Sequence, residues 1–176
     1  MRATGIVRKI DNLGRVVIPK EIRSTMHIRE GEPLEIFTDG EGDVIFRKYS
    51  LVGELSAYAA VYAEVLAAQL KTPVVVTDLD RVVAVSSSSR RELLERRVGE
   101  SFEHLLKTRR ADRPEGGVAL GEDGAASAAA VAPVVVQGSV VGGIAALAKP
   151  EGAPPLPEET LDRLSVAAAL LGAQCE

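Results

Sequence analysis

The sequence predicts an α+β fold with an antiparallel sheet packed with helices in its C-terminal part. Two observations lead to this prediction. Residues 1–50 consist of short β-like runs separated by turn signals, and residues 73–176 contain strand pairs alternating with helical stretches. Residues 51–72 have the pattern of a helix. We assign residues 1–50 and residues 73–176 as two domains, because 176 residues suffice for two small domains. Residues 51–72 are assigned as a linker or dimerisation helix between them.

The first domain begins with two predicted strands, residues 6–10 and 15–18. They flank a tight turn at residues 11–14, whose Asn and Gly suit that conformation. Pro19 ends the second strand, because proline cannot donate to a strand ladder, and it suits the start of a short helix over residues 20–26.

Two further strands, residues 33–38 and 43–48, flank a second turn and complete the first domain. Domains this small usually need metals, disulfides or oligomerisation to be stable. The single Cys175 excludes an internal disulfide, and with only His27 and His104 besides we expect no metal site. The size of the core therefore predicts a dimer.

Residues 51–72 carry an apolar stripe whose members are spaced alternately by four and three positions. That spacing is typical of the seam between two paired helices. The stripe consists of Leu51, Leu55, Tyr58, Tyr62 and Val65, widened by Val52, Ala59 and Leu66. The alternative is an ordinary amphipathic helix that covers its own domain. We expect one helix that serves partly as a dimer seam and partly as a cover.

The second domain is predicted from strand and helix patterns that alternate along the chain. We predict strands at residues 74–77, 81–85, 118–120, 127–136 and 139–147, and helices at residues 90–96 and 102–108. A final helix has Pro157 near its start. Apolar walls at residues 74–84, 98–106 and 128–146 predict either a ligand pocket or a closely packed dry core, since no polar cluster identifies a ligand.

The charge is unevenly distributed along the chain, although the net charge is only −4. Residues 1–29 carry seven basic and two acidic residues, a net charge of +5, whereas residues 30–46 carry six acidic residues and no basic one. Such segregation lets one face of a small domain be positive, as nucleic-acid binding requires. The alternative is chance clustering on solvated faces.

Composition excludes several classes of protein. No run of 18 apolar residues is present, so we expect no membrane span and a cytoplasmic location. An enzyme is not expected. A sulfoxide reductase would need active cysteines inside the fold, whereas Cys175 lies next to the end of the sequence. A phosphodiesterase would need a metal-binding cluster of His and Asp residues, which the sequence does not suggest. We expect no catalytic residue, metal or cofactor.

The segment from Gly5 to Arg23, with its Leu-Gly-Arg-Val-Val-Ile-Pro core at residues 13–19, resembles the AbrB-type transition-state regulators of Gram-positive bacteria. The resemblance covers residues 1–50 and implies a swapped-hairpin β-barrel, in which two chains interleave to complete one core. Past this module the chain resembles those members that join it to a C-terminal GAF-like domain, which our prediction for residues 73–176 fits. The resemblance thus implies a transcription regulator that binds double-stranded DNA.

The resemblance also implies which residues contact DNA. The arginines that match the family's DNA-contacting set are Arg8, Arg15 and Arg23, with Lys9 and Lys20 as less specific phosphate contacts. Many relatives have a second arginine at the position of Ser24, so one contact of each protomer is absent here. The alternative is that these arginines solvate an exposed sheet and pair with acidic residues, namely Glu21, Glu30 or Glu32.

The sequence therefore predicts a sequence-preferring, nucleoid-associated regulator of sporulation-stage genes, whose partners are DNA and further copies of the chain. We expect a homodimer that assembles into a homotetramer, with an unidentified small-molecule effector as a further partner of the GAF-like domain. The alternative function is an antitoxin of a toxin–antitoxin pair, since such antitoxins share the swapped-hairpin module. Antitoxins of this kind carry a short disordered tail, whereas residues 51–176 have the composition of a folded domain.

Overall fold

The computed structural model describes residues 4–86 and 88–175. The chain divides into two compact units, an N-terminal unit that ends at Tyr49 and a C-terminal unit that begins at Ser50. The N-terminal unit contains helix α1 (Lys20–Thr25) and strands β1 (Leu34–Thr38) and β2 (Val44–Lys48). These three elements agree with the predictions for residues 20–26, 33–38 and 43–48.

Strands β1 and β2 form an antiparallel hairpin in which Ile36 lies opposite Phe46. The turn between them is held by Asp39, whose carboxylate oxygen Oδ1 accepts hydrogen bonds from the backbone N–H groups of Glu41 and Asp43, at 3.1 and 2.8 Å. This is the local bonding by which aspartate favours turns. On the face of the hairpin that carries Ile36, the side chains of Val44 and Phe46 are also exposed.

The predicted strands at residues 6–10 and 15–18 are not strands in this single chain. A strand requires a neighbouring strand with which it exchanges backbone hydrogen bonds. The sheet described in the N-terminal unit has two strands, β1 and β2, which pair with each other. The segment does contain the predicted turn, because Gly14 adopts a φ of +77° and donates its N–H to the Asp11 carbonyl at 3.0 Å. The strand prediction is wrong for the single chain, in which this segment pairs with neither β1 nor β2.

The C-terminal unit is built on one five-stranded sheet, and all of its strand pairs are antiparallel. The strand order is β4-β3-β7-β6-β5, with bounds Val74–Asp78 (β3), Val82–Val85 (β4), Val118–Ala119 (β5), Ser127–Val136 (β6) and Ser139–Leu147 (β7). The helices are α2 (Leu51–Glu54), α3 (Ser56–Leu70), α4 (Glu100–Lys107) and α5 (Thr160–Gln174). This architecture confirms the predicted α+β class.

Helices cover both faces of the sheet. On one face, α3 and α5 bury Ala63, Leu66 and Leu164 against Val76 and Ile144. On the other face, α4 buries its side chains in a second apolar cluster that includes Val75 and Ala145. Alternate residues of β3 and β7 therefore serve two separate cores, as the period of two in a strand requires.

Two adjacent glycines in β7 permit close approach, Gly142 to the neighbouring strand β3 and Gly143 to the helix α4. A Cβ atom at Gly142 would lie 2.1 Å from the carbonyl oxygen of Thr77, and one at Gly143 would lie 2.4 Å from the Leu106 side chain. Neither distance is possible for a real Cβ, so a side chain at Gly142 would displace the backbone of β3, whereas one at Gly143 would displace the end of the Leu106 side chain.

The outer edge of β6 pairs with β5 at Ser127 and Ala128 and is bonded again at Val131. Asp112 and Val131 exchange two backbone hydrogen bonds, each of 2.9 Å. Two residues further along the same edge is Pro133, which has no backbone N–H.

Three element predictions for the C-terminal unit need correction. The helix predicted over residues 90–96 is a 3-10 turn, Ser88–Leu93, because the residues after it bond back to β4: Glu95 N–H donates to the Val82 carbonyl. The last helix begins at Thr160, not beside Pro157, whose carbonyl accepts the Thr160 N–H. The helix after Ser50 is interrupted at Leu55. Among the described residues, no helix is long and apolar enough to cross a membrane.

Candidate nucleic-acid interface

The five cations predicted to contact DNA all lie on the surface of the N-terminal unit. They are Arg8, Lys9, Arg15, Lys20 and Arg23. None is needed for the apolar core of the chain, which begins at Val52 among the described residues. The structure places the five cations in three local settings.

Arg15 directly follows the turn at residues 11–14, and its backbone and side chain are both bonded to Asp11. The Arg15 N–H donates to Asp11 Oδ1 at 2.8 Å, and the guanidinium Nε donates to Asp11 Oδ2 at 2.8 Å. Asp11 Oδ1 also accepts from the Leu13 N–H at 2.9 Å. These bonds, led by the backbone N–H of Arg15, lower the pKa of Asp11 below its ordinary value of 3.8.

Asp11 is thus a site residue that the sequence did not reveal. We had considered Glu21, Glu30 and Glu32 as partners of the arginines, and the partner of Arg15 is Asp11 instead. The signal was present in the spacing, since an Asp that opens a turn readily accepts from N–H groups two to four residues later. Because the Arg15 side chain is still 71% exposed, its remaining N–H donors face solvent.

Lys20 and Arg23 lie on helix α1 three residues apart, which puts them on the same side of the helix. Pro19, at the N-cap, is buried and accepts the Arg23 N–H at 2.9 Å, which starts the helix where the sequence predicted. Ser24, where many relatives have a second arginine, is exposed and adds no charge.

Arg8 and Lys9 lie on the extended segment before the turn, beside apolar side chains that are also exposed. Val7 is 85% exposed and Ile10 is 71% exposed, and Arg8 donates only to the neighbouring Val7 carbonyl, at 3.2 Å. The same segment continues beyond the turn with Val17, which is 71% exposed. Cations and uncovered apolar groups therefore alternate along this stretch of chain.

The walls predicted for a ligand pocket in the C-terminal unit form a packed core. Val75, Phe102, Leu106 and Ala128 are all fully buried in one cluster. One depression, open to solvent, lies after α4 and is lined by Thr108, Arg110, Ala111 and Asp112. Within the described part of the chain, no three His, Cys, Asp or Glu side chains are grouped as a metal site would need.

Comparison with known proteins assigns both parts of the chain. Residues 54–176 match the family model described as stage V sporulation protein T C-terminal, transcription factor. Residues 7–52 match the model described as antidote-toxin recognition MazE, bacterial antitoxin.

Among curated relatives, stage V sporulation protein T of Bacillus subtilis is 42% identical over 153 residues, which are 85% of this chain and 86% of the relative. The transition state regulatory protein AbrB of the same organism is 57% identical over 49 residues, which are 28% of this chain and 50% of the relative. This second match falls short of the whole AbrB protein, so it concerns one module.

Among solved structures, the GAF domain of the nutrient sensor CodY from Clostridium difficile superposes with a TM-score of 0.50 at 13% identity, covering 66% of this chain and 83% of that one. At this identity the likeness concerns the fold alone, and it confirms the predicted GAF-like fold. The matches to a relative and to a family model over most of the chain settle the family. This chain belongs to the stage V sporulation protein T family of transcription factors, with an AbrB-like N-terminal module followed by a GAF-like unit.

Proposed function

We propose that this regulator binds double-stranded DNA with sequence preference and controls sporulation-stage genes, acting on the nucleoid in the cytoplasm. The observation that carries the proposal is the exposure of Arg8, Arg15 and Arg23 on one small module. The planar fork of each arginine fits a phosphate or the O6/N7 edge of guanine. Lys9 and Lys20 lie beside them and supply phosphate contacts.

DNA affinity measured against salt concentration tests this proposal. If four to six phosphates are neutralised, the log–log slope is about −4 to −5. Arg15→Ala is expected to weaken binding by about tenfold or more, the effect of one lost arginine contact. Arg91→Ala removes an exposed positive charge from the GAF-like unit and is the control. Equal losses from both variants, or binding without salt dependence, would contradict the proposal.

The N-terminal module acts as a dimer in this proposal. Its extended segment exposes Val7, Ile10 and Val17, and its hairpin exposes Ile36 and Phe46, at 62% and 40%. Apolar side chains at this density in so small a module need a cover, and the extended segment needs a strand partner. A second copy that contributes the same two surfaces supplies both, and it doubles the set of cations by symmetry.

The regulator interpretation is better supported than the antitoxin alternative. The antitoxin-type model matches only residues 7–52. The residues that follow form a folded sheet with two buried cores and match a transcription-factor model. A toxin-binding tail would instead have few buried apolar residues.

We further infer that residues 51–72 and the last helix assemble dimers into a homotetramer. One side of α3 packs on its own sheet, which is the covering role predicted for this helix. Its other side exposes Tyr58, Val61 and Val65, at 56%, 62% and 53%. Helix α5 likewise exposes Val166 and Leu170, at 61% and 52%. Helices that are apolar on both sides usually pack on both sides.

Sedimentation of the full chain tests the tetramer. Val65→Glu is expected to reduce the tetramer to a dimer, because it places an unpaired charge in the interface. Ala68→Glu, one turn further along α3, tests how far the interface extends, while Glu64→Gln leaves the apolar stripe unchanged. A Val65→Glu protein of unchanged mass would mean that this face is not the interface.

The close packing of Leu106 on Gly143 supports assembly over effector sensing as the task of the GAF-like unit.

A further inference from the structure

Helix α1, which carries Arg23, ends in a compact and well-bonded motif. The Ile28 N–H donates to the Arg23 carbonyl at 2.8 Å, and the His27 N–H donates to the Ser24 carbonyl at 3.2 Å. This pair of bonds is the Schellman arrangement, whose C′ residue adopts a left-handed conformation. That residue is His27, with a φ of +52°, at a position where glycine is more usual.

The carbonyl of His27 is held by a side chain from strand β2. The ammonium Nζ of Lys48 donates to this carbonyl at 2.6 Å, across 21 positions of sequence. The His27 carbonyl lies just past the C-cap Met26, and a cation near the C-terminus of a helix complements the helix dipole. Lys48 therefore ties the end of α1 to the hairpin.

Glu32 fixes Lys48 in turn. Its Oε1 lies 3.2 Å from Lys48 Nζ, and its Oε2 accepts the Arg29 N–H at 2.7 Å. The side chains of Lys48 and Glu32 are only 24% and 14% exposed, so water screens this ion pair less than it screens a surface pair. The left-handed residue His27 and Arg29, two positions later, are thus both bonded to one lysine–glutamate pair.

We propose that Lys48, held by Glu32, is a positioning residue that orients α1 so that Arg23 meets the DNA. The proposal rests on the proposed DNA-binding function. Lys48 is engaged with protein groups and half-buried, whereas Arg23 is exposed on the helix that Lys48 holds. A guanidinium binds bidentately only within a narrow range of orientations, so a looser helix end lowers affinity without removing any DNA-contacting group.

Lys48→Met in the full-length protein tests the proposal, with DNA affinity measured as a function of salt. We expect about tenfold weaker binding, the effect of losing one charged hydrogen bond. The salt slope should become less steep by about 0.9 for each phosphate contact that Arg23 loses. Lys48→Arg keeps a cationic donor and should restore most of the affinity. Arg47→Met removes the same charge one residue away, from a side chain that lies over the Phe37 ring at 4.5 Å, and should change affinity little.

A double-mutant cycle distinguishes positioning from a direct contact. In an Arg23→Ala background, Lys48→Met should cost little further affinity, because it acts through Arg23. An equal loss in both backgrounds would overturn the proposal, and so would equal losses from Lys48→Met and Arg47→Met. If Arg23→Ala alone leaves affinity unchanged, the proposed function fails at Arg23, independently of Lys48. Should Lys48→Met not fold, Glu32→Gln keeps the lysine and should show the same effect in smaller measure; unchanged affinity would then overturn the proposal.

Discussion

The two units of this chain bury their apolar side chains in opposite ways. In the described part of the N-terminal unit only Pro19 is buried, while Ile36 and Phe46 of its hairpin lie exposed. In the C-terminal unit, Val74, Val75 and Val76 are consecutive and all fully buried, since helices cover both faces of their sheet. The first unit leaves apolar side chains uncovered in the single chain, whereas the second holds two apolar cores of its own.

The largest expected effect tests the self-sufficiency of the C-terminal unit. Gly142→Ala places a methyl group where the Thr77 carbonyl lies, so the strands must separate, at a cost of about 4 kcal/mol. Gly40→Ala in the N-terminal hairpin meets no atom within 4 Å, and we expect a change within about 0.5 kcal/mol. Denaturant unfolding of both variants measures the contrast. Equal stability of the two variants would show that the layers of the C-terminal unit can readily separate.

A pair of equally exposed side chains sharpens the comparison. Phe46 in the first unit is 40% exposed and Leu94 in the second is 41% exposed. If a partner chain covers Phe46, Phe46→Ala should cost about 2 kcal/mol, less than for a fully enclosed phenylalanine. Leu94→Ala should change stability by less than about 0.5 kcal/mol. Thermal unfolding and sedimentation measure both effects. A Phe46→Ala dimer as stable as the parent would contradict the prediction that a partner chain covers Phe46.

The smallest expected effect concerns the acid behaviour of one carboxylate in each unit. Asp11 and Asp123 both have pKa values below 3.8, because backbone N–H groups and an arginine stabilise their charged forms. Their bonds are therefore fully formed above 3.8 and are lost as the pH falls through the lowered pKa. An NMR titration of the carboxyl groups should find both midpoints below 3.8.

Arg15→Ala serves as the control in that titration. It should raise the Asp11 midpoint only part of the way towards 3.8, since the Arg15 backbone N–H remains and is the larger cause of the shift. It should leave the Asp123 midpoint unchanged. An Asp11 midpoint at its ordinary value in the parent protein would mean that the turn is not bonded in this way.

The sequence predicted those elements whose signals are local. The strands β6 and β7 have the predicted bounds, because two apolar runs flank a Gln137-Gly138 turn. The segment at residues 6–10 was predicted as a strand from an equally clear pattern, but a strand also needs a pairing neighbour, which the pattern of one segment does not specify. Of the site, the exposed arginines could be identified from their motif. The Lys48–Glu32 pair could not, because no local pattern marks a contact with the His27 carbonyl across the fold.

Pro133 in strand β6 bears on how this protein resists aggregation through its sheet. An open sheet edge invites strands of other molecules to join it, which is a common route to aggregation. Here Asp112 occupies the outer edge at Val131, and the next outward position offers no N–H for an incoming strand. The sheet of the GAF-like unit is thereby less open to an incoming strand along the outer edge of β6.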